Sequence, residues 1–112
     1  MADTLLARIP NTAITVRAGS GTIDVTSYLT QITNAGASAV TLGAGRTPGQ
    51  RKRLQLTATG GDAVLSSTLL AGGTTITFSA VGDVAELLWD GALWRAISLS
   101  NVAGTAATPV LA

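Results

Sequence analysis

The acidic residues are the first candidates for chemistry, because the 112-residue chain contains neither histidine nor cysteine. Without histidine a serine lacks its usual activating base, and without cysteine there is no thiol nucleophile or zinc-thiolate site. Two carboxylates could still hydrolyse a glycoside, with one acid protonated and the other ionised. The acids available for such a pair are Asp3, Asp24, Asp62, Asp83, Glu86 and Asp90.

The surroundings of these acids favour structural roles. Asp62, Asp83 and Asp90 each adjoin a glycine, where aspartate is typical of turns. Glu86 lies in an apolar run and has Arg95 as a partner on the predicted next strand. The sequence contains neither the spaced-aspartate loop that binds calcium nor the glycine-lysine loop that binds phosphate. We therefore expect no catalytic residue, no cofactor and no metal site.

Arg51, Lys52 and Arg53 form the one basic run. It could contact an acidic protein surface or a phosphate backbone. The favoured interpretation is the start of a strand whose Arg51 and Arg53 point to solvent, where charges also protect a sheet edge. A net charge of +1 and four aromatic residues do not suit a nucleic-acid site. No apolar run approaches the roughly 20 residues that span a bilayer, so neither a nucleic acid nor a membrane is an expected partner.

Asp90-Gly91 between two apolar runs predicts a β-hairpin, since a type I′ turn needs positive φ at both central residues. A two-residue loop would place Glu86 opposite Arg95. A four-residue loop would instead place Trp89 opposite Trp94. We predict the two-residue loop.

Leu87, Trp89 and Trp94 fall on one face of this hairpin in both registers. The tryptophans could stack on sugar rings, but the favoured interpretation is packing in the core or at an interface, since the chain is otherwise short of aromatic bulk. We predict that both indoles are largely buried.

Short β-branched runs separated by glycine-containing turns recur along the chain. The segment 74–80 alternates cleanly, with Ile76 and Phe78 on one side, which is typical of a half-buried strand. The pattern predicts an all-β fold, a small β-sandwich or barrel of short antiparallel strands. We expect one β domain at 12–99, between an extended N-terminal arm at 1–11 and an extended C-terminal arm at 100–112.

The chain carries few charges for a small domain, at 12% against a usual share of roughly 25%. Either a partner covers part of the surface, or threonine and serine solvate it. The C-terminal arm is uncharged and bears Val110 and Leu111, so we expect it to dock on a neighbouring subunit or on its own domain. The candidate interface residues are Arg51, Lys52, Arg53, Trp89, Trp94, Val110 and Leu111.

Five stretches between residues 40 and 97 resemble the head decoration (cement) proteins of tailed bacteriophages and related head-fibre or tail-fibre modules. They are Val40–Gly45, Pro48–Lys52, Leu70–Phe78, Val81–Asp83 and Leu88–Trp94.

The resemblance implies a non-enzymatic virion protein that binds the outer surface of a capsid and reinforces it. The implied partners are the major capsid protein and further copies of the chain, as a homotrimer. The alternative is a carbohydrate-binding adhesin module of a phage fibre, which exposed tryptophans would favour.

Overall fold

The regular structure consists of ten short strands in a computed structural model that describes residues 14–34, 36–58, 60–104 and 108–112. The described residues form no helix, and hence none that could cross a membrane. The predicted N-terminal arm, 1–11, lies outside the described residues.

Two five-stranded sheets pack face to face. Sheet A has the order β1-β3-β5-β8-β9, and sheet B has the order β10-β7-β6-β4-β2. The strands are β1 Ile14–Ala18, β2 Gly21–Thr22, β3 Leu29–Thr33, β4 Ser38–Thr41, β5 Arg51–Ala58, β6 Ala63–Ser66, β7 Thr75–Phe78, β8 Asp83–Trp89, β9 Trp94–Asn101 and β10 Val110–Leu111. The predicted all-β sandwich is confirmed.

The first six strands alternate between the two sheets, so the chain winds around the core as three turns of a short β-helix. Strands on successive turns pair in parallel, and the first two turns differ in length. Ile14 pairs with Leu29, 15 residues later, and Leu29 pairs with Arg53, 24 residues later. Unequal turns leave no sequence period, which is why no repeat is visible in the sequence.

The prediction of antiparallel strands is wrong for half of the sandwich. Among the pairings of the described strands, β1 with β3, β3 with β5, β2 with β4 and β4 with β6 are parallel. Antiparallel pairing holds for β5 with β8, β8 with β9, β6 with β7 and β7 with β10. Alternation along a strand specifies which side chains face the core, but it carries no information about the direction of the neighbouring strand.

The core fills the space between the sheets. On β5 the buried positions are 52, 54 and 56, while Arg51, Arg53 and Gln55 face outward. The same alternation on β7 buries Ile76 and Phe78, as predicted. The remaining buried apolar residues are Ile23, Ile32, Val40, Leu42, Leu54, Leu56, Ala63, Leu65, Leu70, Val84, Ala85, Leu87, Trp89 and Trp94.

The last described residues dock on their own domain rather than extend away from it. Strand β10 pairs with β7, and Leu111 packs against the core while Val110 is 59% exposed. The end of the chain is fixed further by the Ala112 carbonyl, which accepts hydrogen bonds from the backbone N–H groups of Thr74 and Thr75. Residues 108–112 therefore complete sheet B.

Candidate assembly surface

The described acids are engaged mainly in local structure. The buried Asp83 carboxylate accepts hydrogen bonds from the N–H groups of Ser79 and Ala80 and from the Asn101 amide, which fixes the start of β8. The carboxylate of Asp24 accepts from the backbone and hydroxyl of Thr26. No group of three or more acids is placed to hold a metal ion within the described ranges.

Glu86 takes different partners from the predicted one. It lies opposite Ser98 on β9, and its carboxylate accepts hydrogen bonds from the Tyr28 hydroxyl at 2.8 Å. The Arg53 guanidinium lies 3.9 Å from the same carboxylate. Burial and the neighbouring Glu86 raise the pKa of Tyr28. The predicted pairing of Glu86 with Arg95 is wrong.

The hairpin has a four-residue loop, so Trp89 lies opposite Trp94 and the predicted two-residue loop is also wrong. The physical reason is the Asp90 side chain, which accepts hydrogen bonds from the N–H groups of Ala92 and Leu93 and so stabilises the wider turn. Its other carboxylate oxygen lies 2.6 Å from Arg95 Nε. Gly91 still adopts positive φ, at 101°.

Acid should weaken this turn. Hydrogen bonds from Leu93, Ala92 and Arg95 lower the pKa of Asp90 to about 2, from 3.8. Because the folded state holds the proton less tightly than the unfolded state, the contribution is present above pH 4 and is lost as the pH falls toward 2. We expect the loss of stability that is due to Asp90 protonation to vanish in Asp90→Asn. The measurement is the free energy of unfolding by urea at a series of pH values. Asn retains the acceptor oxygen, so unchanged acid sensitivity would contradict the assignment.

The predicted burial of the tryptophans is confirmed. Trp94 is fully buried and Trp89 is 6% exposed, with ring centroids 5.3 Å apart and planes tilted by 56°. The indole N–H of Trp94 donates to the Gly43 carbonyl at 2.8 Å. Gly45 crosses so close to Trp89 that a Cβ there would overlap the ring. The loop before β5 therefore covers both indoles, and neither presents a free face for a sugar.

The basic run divides between the two faces of β5. Arg51 is exposed and Arg53 is half-buried beside Glu86 on the outer side of the strand, as expected. The expected protection of a sheet edge is wrong, because β5 is the central strand of sheet A. Lys52 is fully buried between the sheets, a position that the sequence analysis did not anticipate. The alternation along β5 nevertheless indicated this burial, since Lys52 lies on the same strand face as Leu54 and Leu56. It is also the only lysine in the chain.

Hydroxyl and carbonyl groups surround the Lys52 ammonium. Its three hydrogen bonds go to Ser27 O at 2.8 Å, Ser27 Oγ at 2.9 Å and Thr30 Oγ1 at 2.7 Å. Thr15 Oγ1 lies within 3.0 Å of both hydroxyl oxygens. Burial lowers the pKa of Lys52 to about 8, with a smaller opposing effect from the negative charge of Asp24. The cluster joins the connection between β2 and β3 to β5 through hydrogen bonds.

Charged residues are distributed unevenly between the strands of the two sheets, although the exposed Asp24 and Asp62 lie beside β2 and β6 at the margin of sheet B. Arg51, Arg53, Glu86 and Arg95 lie on the strands of sheet A. The five strands of sheet B contain no charged residue. All of these strands except β2 come from three long charge-free stretches, 25–45, 63–82 and 96–112. The outer surface of sheet B is termed here the charge-free face.

Two rows of side chains cross the charge-free face, as the strand register defines them. The first is a hydroxyl row of Thr22, Thr41, Ser66 and Thr75. The second is mainly aliphatic and contains Ala39, Val64, Thr77 and Val110. A groove of about 400 Å³ opens on this sheet, lined by residues 41–42, 66–68 and 74–75. These features suit contact with an uncharged surface better than catalysis.

The seven candidate interface residues thus lie partly in the interior and partly on the surface. Trp89, Trp94 and Lys52 are buried inside the chain. Among the others, Val110 lies on the charge-free face, Arg51 and Arg53 lie on sheet A, and Leu111 packs against the core. The low overall charge is visible in the sequence, but the placement of the charged strand residues on sheet A alone is not. Comparison with family models gives no match, and comparison with curated proteins gives none either.

Proposed function

We propose that this chain is a non-enzymatic structural protein of a tailed-phage virion that binds the outer surface of the assembled capsid and reinforces it. The single observation that carries the proposal is that the five strands of sheet B contain no charged residue, whereas the strands of sheet A carry exposed charges. The resemblance of residues 40–97 to head decoration proteins supplies the class of assembly.

The physical argument concerns the cost of covering each face. Burying a charged group is expensive unless a partner compensates for its lost hydration, whereas covering an aliphatic group is favourable and covering a hydroxyl costs less than a charge when the hydroxyl keeps a hydrogen bond, as those of Thr41 and Thr75 do within the chain. The charge-free face is therefore the one suited to protein contact. The charged face of sheet A is suited to solvent. In the proposed assembly the partners are the major capsid protein and two further copies of the chain, because the resemblance implies a homotrimer.

The alternative, a carbohydrate-binding adhesin module, loses its main support. It required aromatic faces available for sugars, but both tryptophans and Phe78 are buried. The remaining aromatic residue, Tyr28, is half-buried, and its hydroxyl donates a hydrogen bond to Glu86.

Purified particles provide the test. We expect the chain to remain with intact capsids through a density gradient, at a fixed ratio to the major capsid protein measured by quantitative mass spectrometry. Capsids that lack the chain should regain heat resistance when the purified protein is added back. A variable trace amount on the particles, with no effect on their heat resistance, would overturn the proposal.

A further inference from the structure

We propose that residues 108–112, termed here the cap, block the edge of β7 and so prevent copies of the chain from joining edge to edge by strand addition. The inference goes beyond the proposed function. It concerns the edge of sheet B rather than its outer face, which stays available to the capsid, and it leaves the contacts of the proposed trimer to other surfaces.

Without the cap, the edge of β7 would be an effective template for another strand. Its sequence is Thr-Ile-Thr-Phe over Thr75–Phe78, and β-branched and aromatic residues favour strands. A bare strand edge presents a row of backbone N–H and C=O groups, which proteins often protect with charged side chains. The strands of sheet B carry no charged residue. The β7 edge therefore needs another kind of protection.

The cap supplies that protection through the backbone. Strand β10, Val110–Leu111, pairs with β7, so β7 lies between β6 and the cap. The Ala112 N–H donates to the Thr75 carbonyl at 2.9 Å, and the Ala112 carbonyl accepts from the Thr75 N–H at 3.1 Å. The Leu111 side chain packs against the core. The cap thus occupies the hydrogen-bonding groups that a further strand would use.

The outer edge of the cap is a poor template in its turn. Ala112 directs both of its backbone groups to Thr75, and successive residues of an antiparallel strand direct these groups to opposite edges. The outward groups of the cap therefore belong to Pro109 and Leu111. Proline has no N–H to offer a further strand. Strand β10 is also only two residues long, and very short edge strands resist addition.

A close approach at Gly73 offers a way to displace the cap. A Cβ on Gly73 would lie 2.5 Å from the Ala112 carbonyl oxygen and 3.2 Å from Leu111 Cδ1. The three atoms nearest to that position all belong to the cap. A side chain at Gly73 would therefore push the cap away from β7.

Sedimentation equilibrium of full-length variants tests the inference. Gly73→Val displaces the cap from the side of its acceptor, and Leu111→Asp displaces it by placing a charge against the core. In both variants we expect the bare β7 edges to pair, so that the average mass in solution rises to at least about twice that of the wild-type chain. Gly43→Val is the matched control, because no atom lies within 4 Å of a Cβ at that glycine. It should have the wild-type mass.

A charge on β7 separates strand addition from non-specific association. Thr77 is half-buried on β7, so Thr77→Lys added to Gly73→Val places a protecting charge on the bare edge strand. The mass should then return to the wild-type value. Far-ultraviolet circular dichroism and cooperative urea unfolding show which variants fold, and either displacing variant that folds is sufficient for the test.

Three results would overturn the inference. The first is a folded displacing variant whose mass is unchanged, or is lower, since a lower mass would make residues 108–112 a connector between copies. The second is association that Thr77→Lys leaves intact. The third is loss of the fold in both displacing variants, which would make the segment part of the core rather than a cap. Occupancy of capsids is measured separately, so the proposed function stands or falls without these results.

Discussion

Truncating Trp94 to Ala should lower the free energy of unfolding by about 3–5 kcal/mol, as for other large core aromatics. The indole is fully buried against Trp89. Its N–H also supplies the Gly43 carbonyl with a hydrogen bond, so truncation leaves both a cavity and an unpaired acceptor. Urea unfolding followed by far-ultraviolet circular dichroism measures the loss, since that signal does not depend on the indole.

Two further variants separate the contributions at this site. Trp94→Phe retains much of the ring volume but removes the donor, so it should show an intermediate loss. Ser98→Ala, at an exposed position on the same strand, should change stability by no more than about 0.5 kcal/mol. A loss below about 1 kcal/mol in Trp94→Ala would mean that the indole does not belong to the core.

Stability should rise between pH 8 and pH 9.5, because Lys52 is buried. Its pKa in the folded protein is about 8, against 10.5 for an exposed lysine. Between these values the unfolded chain binds the proton and the folded chain has released it, so increasing pH favours folding. The gain should reach about 2 kcal/mol at pH 9.5, since one pKa unit corresponds to 1.36 kcal/mol. Measurements above pH 10 would also include Tyr28, whose raised pKa has the opposite effect.

Lys52→Met provides the control for this titration. It removes the ionisable group, so the rise between pH 8 and pH 9.5 should disappear. Lys52 is also the only lysine, which makes amine labelling an independent measure of its burial. The peptide containing Lys52 should stay unmodified in the native protein and react after unfolding. Rapid labelling in the native state, or a flat stability profile for the wild-type chain, would contradict the buried position.

The features that the sequence predicted correctly depend on local alternation. Ile76 and Phe78 fall on one side of their strand, and so do Leu54 and Leu56. Those patterns specify which side chains are buried, and together they indicate two apolar sheet faces. Turn chemistry located the hairpin for the same local reason, since Asp90-Gly91 favours a reversal whatever the rest of the chain does.

The features that the sequence did not predict depend on long-range choices. Parallel pairing arises because successive strands alternate between sheets, and a strand's own pattern does not record that path. The loop length of the hairpin was decided by hydrogen bonds from Ala92 and Leu93 to the Asp90 carboxylate. Burial of Lys52 needs oxygen partners at Ser27 and Thr30, and only the fold brings those residues together.

The candidate surface was partly visible in the sequence. The low charge of the chain predicted either a covered surface or one solvated by threonine and serine, but composition does not say where the uncharged residues lie. The three strands β4, β6 and β7 had to pair before Thr41, Ser66 and Thr75 formed one row. Val110 is exposed and stays a candidate interface residue, whereas the two tryptophans and Lys52 lie in the interior.

Single cysteines on the two outer faces test the central claim, that the charge-free face is covered in the assembly, most directly. The chain contains no cysteine, so Ala39→Cys on sheet B and Ser98→Cys on sheet A each create one thiol at an exposed position. A maleimide should label both thiols in the unassembled chain. On assembled capsids we expect Ser98→Cys to stay reactive and Ala39→Cys to be protected. Equal labelling of both thiols on the capsid, or protection of Ser98→Cys instead, would contradict the claim.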